Sequence, residues 1–261
     1  MNINAEFYKG KDLFENGKYE DALGTLLQCY EYSIKNNNND INEITFLNII
    51  ALCYERLGNY NKQLEYDKEC YELSKKMFGE AHKNTLICLN NLAKSYKNVG
   101  NYEKQLECNK KRYELNKKIL GEMHSTTLES LGQLAESYGD IGDYDKQLEY
   151  NKKCYELDKR ILGEEHKETL ICLGNLASSY GNTGNYKKQL EYDKKCYELS
   201  KKVFGEKHPN TLTSLSNLAS SYGDVGNYEK QLEYNKKCYE LDKEIWGNEH
   251  PTTLIGLSKL A

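Results

Sequence analysis

The stretch GEKHPNTLTSLSNLASSYGDVGNYEKQLEYNKKCYELDKEIW, residues 205–246, decides the fold. Its first half sets Thr211, Leu212, Leu215, Leu218, Ala219 and Tyr222 three and four residues apart, which gathers them on one face of a helix. Gly226 suits the left-handed residue that closes a helix, and Asn227 suits the cap that opens the next. The second half places Tyr228, Leu232, Tyr234, Cys238, Tyr239, Leu241, Ile245 and Trp246 on an apolar side, and Gly247 stops it. Pro209 falls in a first helical turn, where its missing N–H costs no hydrogen bond, and Pro251 does the same further on.

Working outward, the same unit recurs along the chain. Gly-Asn/Asp-Tyr appears at Gly58, Gly100, Gly142, Gly184 and Gly226, 42 residues apart each time, with a looser copy, Gly17-Lys18-Tyr19, 41 residues earlier. Ala51, Ala93, Ala135, Ala177, Ala219 and Ala261 keep step, as do His82, His124, His166, His208 and His250. Neither helix can bury its stripe alone, so consecutive helix pairs must stack on one another into a superhelix. This predicts one solenoid over 1–261 with six helix pairs, at about 3–34, 41–78, 84–120, 126–162, 168–204 and 210–246, and a partial seventh at 252–261. Ala261 is equivalent to the mid-helix Ala219, so the chain is expected to be a piece of a longer array, with the Leu254, Leu257 and Leu260 face packing on the sixth pair and free to mediate self-association. Asn36 to Asn39 read as a flexible loop, and Asp40 with Glu43 has capping-box spacing.

Composition narrows the function. Lys+Arg (36) nearly balances Asp+Glu (40), so nothing favours nucleic acid, and pairs such as Glu107–Lys111 and Glu114–Lys118 suit a solvated helix face. The most apolar run, Phe46 to Cys53, is too short to span a bilayer. No phosphate loop, nucleophile elbow or carboxylate pair appears, and a motif that recurs as Gly-Glu-x-His at Gly79, Gly121, Gly163 and Gly205 does not suit a catalytic site. No enzyme activity, cofactor or metal is expected. The histidines fall one per repeat, roughly 10 Å apart, and suit helix caps. The tyrosines suit packing with the hydroxyl at the surface. The nine cysteines include a register of Cys29, Cys70, Cys154, Cys196 and Cys238, and a second with Cys88 and Cys172. Equivalent positions on successive repeats lie too far apart for disulfides, so nine free thiols in a reducing cytoplasm are expected.

The repeats resemble the tetratricopeptide repeat, and the 42-residue variety is similar to that of kinesin light chains. Gly10, Gly17, Tyr19 and Ala22 carry the general pattern, and Thr211-Leu212, Asn217-Leu218-Ala219, Tyr222, Gly226, Tyr228 and Gly205-Glu206-Lys207-His208-Pro209 the kinesin-light-chain style. The resemblance implies an all-α, right-handed superhelical solenoid of antiparallel helix pairs, with the first helices lining a concave groove that binds another protein or peptide segment. On that face lie Asn90, Asn91, Lys94, Lys97 and Asn98; Gln133, Glu136, Gly139 and Asp140; Asn175, Ser178, Gly181 and Asn182; and Asn217, Ser220, Gly223 and Asp224. Their amides can both donate and accept, which suits an extended main chain. Three in-helix glycines each cost about 0.5–1 kcal/mol relative to Ala, which points to close approach by a ligand or a neighbouring helix. Phe7, Lys11, Asn48 and Leu52 do not match the carboxylate clamp of chaperone adaptors. One departure stands out: the small Ala of the second helix is kept at Ala22 and becomes Gln63, Gln105, Gln147, Gln189 and Gln231, whose amides need partners or wider helix spacing. The alternative function is a structural module that stacks through its exposed ends.

Overall fold

The computed structural model describes residues 2–35 and 43–260, and all regular structure among them is helical. The chain divides into two compact units, Met1–Gly121 and Glu122–Ala261. The first holds α1 (Ile3–Glu15), α2 (Tyr19–Lys35), α3 (Glu43–Arg56), α4 (Tyr60–Phe78), α5 (Lys83–Asn98) and α6 (Tyr102–Leu120). The second holds α7 (Ser125–Asp140), α8 (Tyr144–Leu162), α9 (Lys167–Asn182), α10 (Tyr186–Phe204), α11 (Pro209–Asp224), α12 (Tyr228–Trp246) and α13 (Pro251–Ser258). The Asn36–Asn39 run, the Asp40 half of the capping box and Ala261 lie outside the described residues.

Local chemistry sets the helix ends. Asn59, Asn101, Asp143, Asn185 and Asn227 each accept a hydrogen bond from the amide three residues on, which satisfies one of the orphan donors of the second helix. The histidines cap the first helices in the same way: Nδ1 of His82, His124, His166, His208 and His250 accepts from the amide two residues on. Three of these rings also stack on an aromatic side chain that ends the preceding helix, Phe78, Phe204 and Trp246. Gly226 and Gly247 take φ of +78° and +86°, a conformation that favours glycine and turns the chain sharply.

Within each unit every helix packs on the next. In 122–261 the buried stripe repeats as Leu131, Leu134 and Ala135, then Leu173, Leu176 and Ala177, then Leu215, Leu218 and Ala219. In 1–121 the corresponding core is more aromatic, with Phe7 and Phe46 edge to face at 5.0 Å and Leu26, Leu47 and Ile50 sealed around them. Tyr138, Tyr180 and Tyr222 stack on Tyr150, Tyr192 and Tyr234 at 5.2–5.3 Å, holding the two helices of each pair together. Other tyrosine hydroxyls do not simply face water. Those of Tyr71, Tyr155 and Tyr197 accept from Lys111, Lys195 and Lys237 of the next pair at 3.0–3.1 Å. The same lysines pair with Glu80, Glu164 and Glu206. Lys111 thus pairs with Glu80 rather than with the expected Glu107, which pairs with Lys104 at 3.9 Å. Contact with Lys195 and Lys159 holds the Glu164 carboxyl down to about 2.

No helix among the described residues is long and apolar enough to cross a membrane.

Candidate partner-binding face

The glutamines at the usual alanine register decide how each joint closes. Asn98 donates to Gln63 Oε1 at 3.0 Å and Asn182 to Gln147 Oε1 at 2.9 Å, while Gln189 Nε2 donates to Asp224 at 3.0 Å. Each bond runs from the second helix of one pair to the end of the next first helix. A side-chain amide serves either an amide or a carboxylate by exchanging donor for acceptor. The in-helix glycines belong to the same device. A Cβ on Gly139, Gly181 or Gly223 would fall 2.3, 2.5 or 2.6 Å from the amide of Gln147, Gln189 or Gln231 in its own pair. Of the two expected reasons for these glycines, the neighbouring helix is the one that fills the space. Small and large residues have exchanged helices, so volume at the contact is kept.

A second buried bond crosses the joints. Ser95 donates to Asp67 and Ser221 to Asp193, whereas at the equivalent place Asn151 donates to Ser179 at 2.7 Å. Burial raises the carboxyls of Asp67 and Asp193 to about 6, against the opposing effect of the serine bonds.

The expected partner-binding residues separate into two groups. In 1–121 the array engages all of them. Asn91 donates to Asn48 at 3.2 Å, Asn90 accepts from the buried Arg112 at 2.9 Å, Lys94 pairs with Glu55 at 2.6 Å, and Asn98 holds Gln63. In 122–261, Asn182 and Asp224 close the glutamine joints, Gln133 reaches Glu129 at 3.5 Å on its own helix, and Glu136 is exposed. Ser220 is exposed and donates to the Ser216 carbonyl at 3.2 Å.

Asn175, Ser178 and Asn217 come together. They line a cavity of about 200 Å³ between α9 and α11, floored by Cys196, Ser200 and Phe204 of α10, with Ile171 44% exposed at its edge. Neither asparagine side chain has a partner among the described residues. The register from which Asn48 accepts the Asn91 amide holds Gly132 for Asn175 and Gly174 for Asn217, so no acceptor is present.

Residues 42–118, 126–188 and 173–244 match the family model of the tetratricopeptide repeat, well over half of the chain. The chain belongs to the tetratricopeptide repeat family. No curated protein matches it in sequence. Among solved structures with tetratricopeptide-like repeats, the chain is similar to the Podosopora anserina protein described as kinesin light chain nearly identical TPR-like repeats. That match has 20% identity and a TM-score of 0.70, over 78% of this chain and 96% of that one. BtubC (BKLC) from P. vanneervenii matches at 14% identity and a TM-score of 0.72, over 89% and 94% of the two chains. A Rap protein complexed with Competence and Sporulation Factor matches at 12% identity and a TM-score of 0.60, over 99% and 79%. At these identities the likeness concerns the fold.

Proposed function

We propose that this chain is a protein-interaction scaffold that takes an extended segment of another protein against the first-helix face of its 122–261 unit. Tetratricopeptide repeat proteins are generally protein-interaction scaffolds, and a Rap protein of similar fold is solved in complex with Competence and Sporulation Factor. The observation that carries the reading is the pair Asn175 and Asn217, two unpartnered amides beside one cavity with the apolar Ile171 at its edge. Each amide can give a donor and an acceptor to a main chain, and Ile171 offers apolar area to a side chain next to it. Binding then needs neither a cofactor nor a metal at this face. The buried free thiols support a reducing compartment such as the cytoplasm.

The test is selection of peptides from a random library on the purified chain, followed by titration of the winners. Asn175→Ala and Asn217→Ala are each expected to weaken them by about 0.5–1.5 kcal/mol, the net value of one neutral hydrogen bond, with unchanged melting. Winners that bind both variants as tightly as the parent would place the binding surface elsewhere.

Self-association through the α12–α13 end is a second reading. Leu254 is 52% exposed, although its equivalents Leu170 and Leu212 are 4% and 7% exposed, and Leu257 and Tyr228 are exposed too. The expected leucine packing is off register: Thr253 and Gly256 are the residues buried on α12, with Gly256 against Tyr239. Light scattering that stays monomeric across a wide concentration range would remove this reading.

A further inference from the structure

All nine cysteines are free thiols, but distance between equivalent positions is not what keeps them apart. Cysteines of two different registers meet across the joints. Cys70 and Cys88 have their sulfurs 3.2 Å apart, and Cys154 and Cys172 3.1 Å apart. At the second place a carboxylate joins them: the Cys172 thiol donates to Asp158 Oδ2 at 3.0 Å. The three donor atoms lie within 4.8 Å of one another, and all three residues are buried.

We propose that Cys154, Asp158 and Cys172 form a binding site for a thiophilic divalent cation of the zinc class. Two sulfurs and one carboxylate oxygen are a donor set such an ion takes, with the fourth tetrahedral position open to water. Ligand sulfurs on one zinc ion stand roughly 3.8 Å apart at about 2.3 Å bonds, so this pair needs to spread by less than 1 Å. Binding displaces two thiol protons to solvent, forms two metal–thiolate bonds and one metal–carboxylate bond, and transfers no electrons.

Two further observations set this joint apart from the Cys70–Cys88 joint. The Cys172 thiol is the sole hydrogen-bond donor to the buried Asp158 carboxyl among the described residues, which leaves oxygen lone pairs there for a cation. At the Cys70–Cys88 joint the equivalent of Asp158 is Ser74, which bonds Thr85 at 3.1 Å, so that joint offers two sulfurs and no carboxylate. Because binding releases two thiol protons, affinity climbs with pH, by at most about 100-fold per unit.

The neighbouring repeats supply conservative variants. Serine stands at the Cys172 register in Ser130 and Ser214, and at the Asp158 register in Ser74 and Ser200. The reduced full chain is titrated with Cd²⁺, following sulfur-to-cadmium charge-transfer absorption, with Zn²⁺ as competitor. One saturable tight equivalent displaced by Zn²⁺ is expected, with a higher melting temperature when loaded. Cys172→Ser should abolish it, Asp158→Ser should weaken it at least about 10-fold, and Cys88→Ser should leave it unchanged, each variant's metal-free melt reporting its fold. The proposal is overturned by absence of tight binding in the parent, by retention in Cys172→Ser, by loss in Cys88→Ser, or by indifference to Asp158→Ser. A Cys154–Cys172 disulfide in air, without cadmium binding by the reduced chain, overturns it as well.

Discussion

The first-helix faces of the two compact units carry the same registers and use them differently. In 1–121, Asn90, Asn91, Lys94 and Asn98 all bond within the array, and Gln63 and Gln105 are 2% and 3% exposed. In 122–261, glycine replaces the acceptor at Gly132 and Gly174 and replaces the longer Glu55 and Lys97 at Gly139, Gly181 and Gly223. The glutamines there become half-exposed, and the Asn175 and Asn217 side chains have no partner among the described residues. The contrast teaches that one asparagine register can serve a joint or a face, and that the residue 43 positions earlier decides which.

The largest expected effect tests where the units should not differ. Asp67 in one and Asp193 in the other have folded-state values near 6, above the ordinary 3.8. Between these values the folded chain keeps a proton that the unfolded chain has lost. The associated stability is complete below about pH 4 and is lost as pH rises through 6. Asp67→Asn and Asp193→Asn remove that loss, and the Asn151–Ser179 bond shows that asparagine fits the place. Each should stabilise its unit by about 2–3 kcal/mol above pH 6.5 and flatten the pH dependence of urea unfolding between 4 and 6. A response in one unit alone would extend the contrast into the core.

A smaller effect tests the contrast itself. Gly174→Asn restores the acceptor opposite Asn217, and the new Cβ would meet Cys196 at an ordinary 3.9 Å. Peptide binding should weaken about fivefold, near 1 kcal/mol, with little change in melting. The reciprocal Asn48→Gly should free Asn91 without touching the peptide titration. The smallest effect concerns the glycines. With Gln189 truncated to Ala, Gly181→Ala no longer meets an amide and should stabilise by about 0.5–1 kcal/mol in thermal melting. In the native background the same change must expel Gln189 from Asp224, so gain and loss nearly cancel. A Gly181→Ala gain of equal size in both backgrounds would detach the glycine from the glutamine.

Elements and caps were legible because they depend on neighbours in sequence. Gly226, Asn227, His208 and Pro209 mark ends through local dihedrals and amide capping, and Leu215, Leu218 and Ala219 mark a face by spacing alone. The joints were less legible. Gln147 finds Asn182 at 35 residues and Cys154 finds Cys172 at 18, so the partners come from different registers of different repeats. Aligning the repeats compares each register with itself and does not show which two registers touch. Even so, the exchange of small and large residues between Gly139 and Gln147, repeated in the next two pairs, was a volume signal open to reading before the structure.

The lysine clamps of the joints have an evolutionary consequence. Each takes its tyrosine from one repeat and its glutamate and lysine from the next, as in Tyr155, Glu164 and Lys195 and again in Tyr197, Glu206 and Lys237. A misaligned crossover between two copies of the gene that removes or adds one 42-residue period therefore leaves a complete clamp at the new junction. Arrays of this sequence can change length in a single genetic event without passing through a broken intermediate.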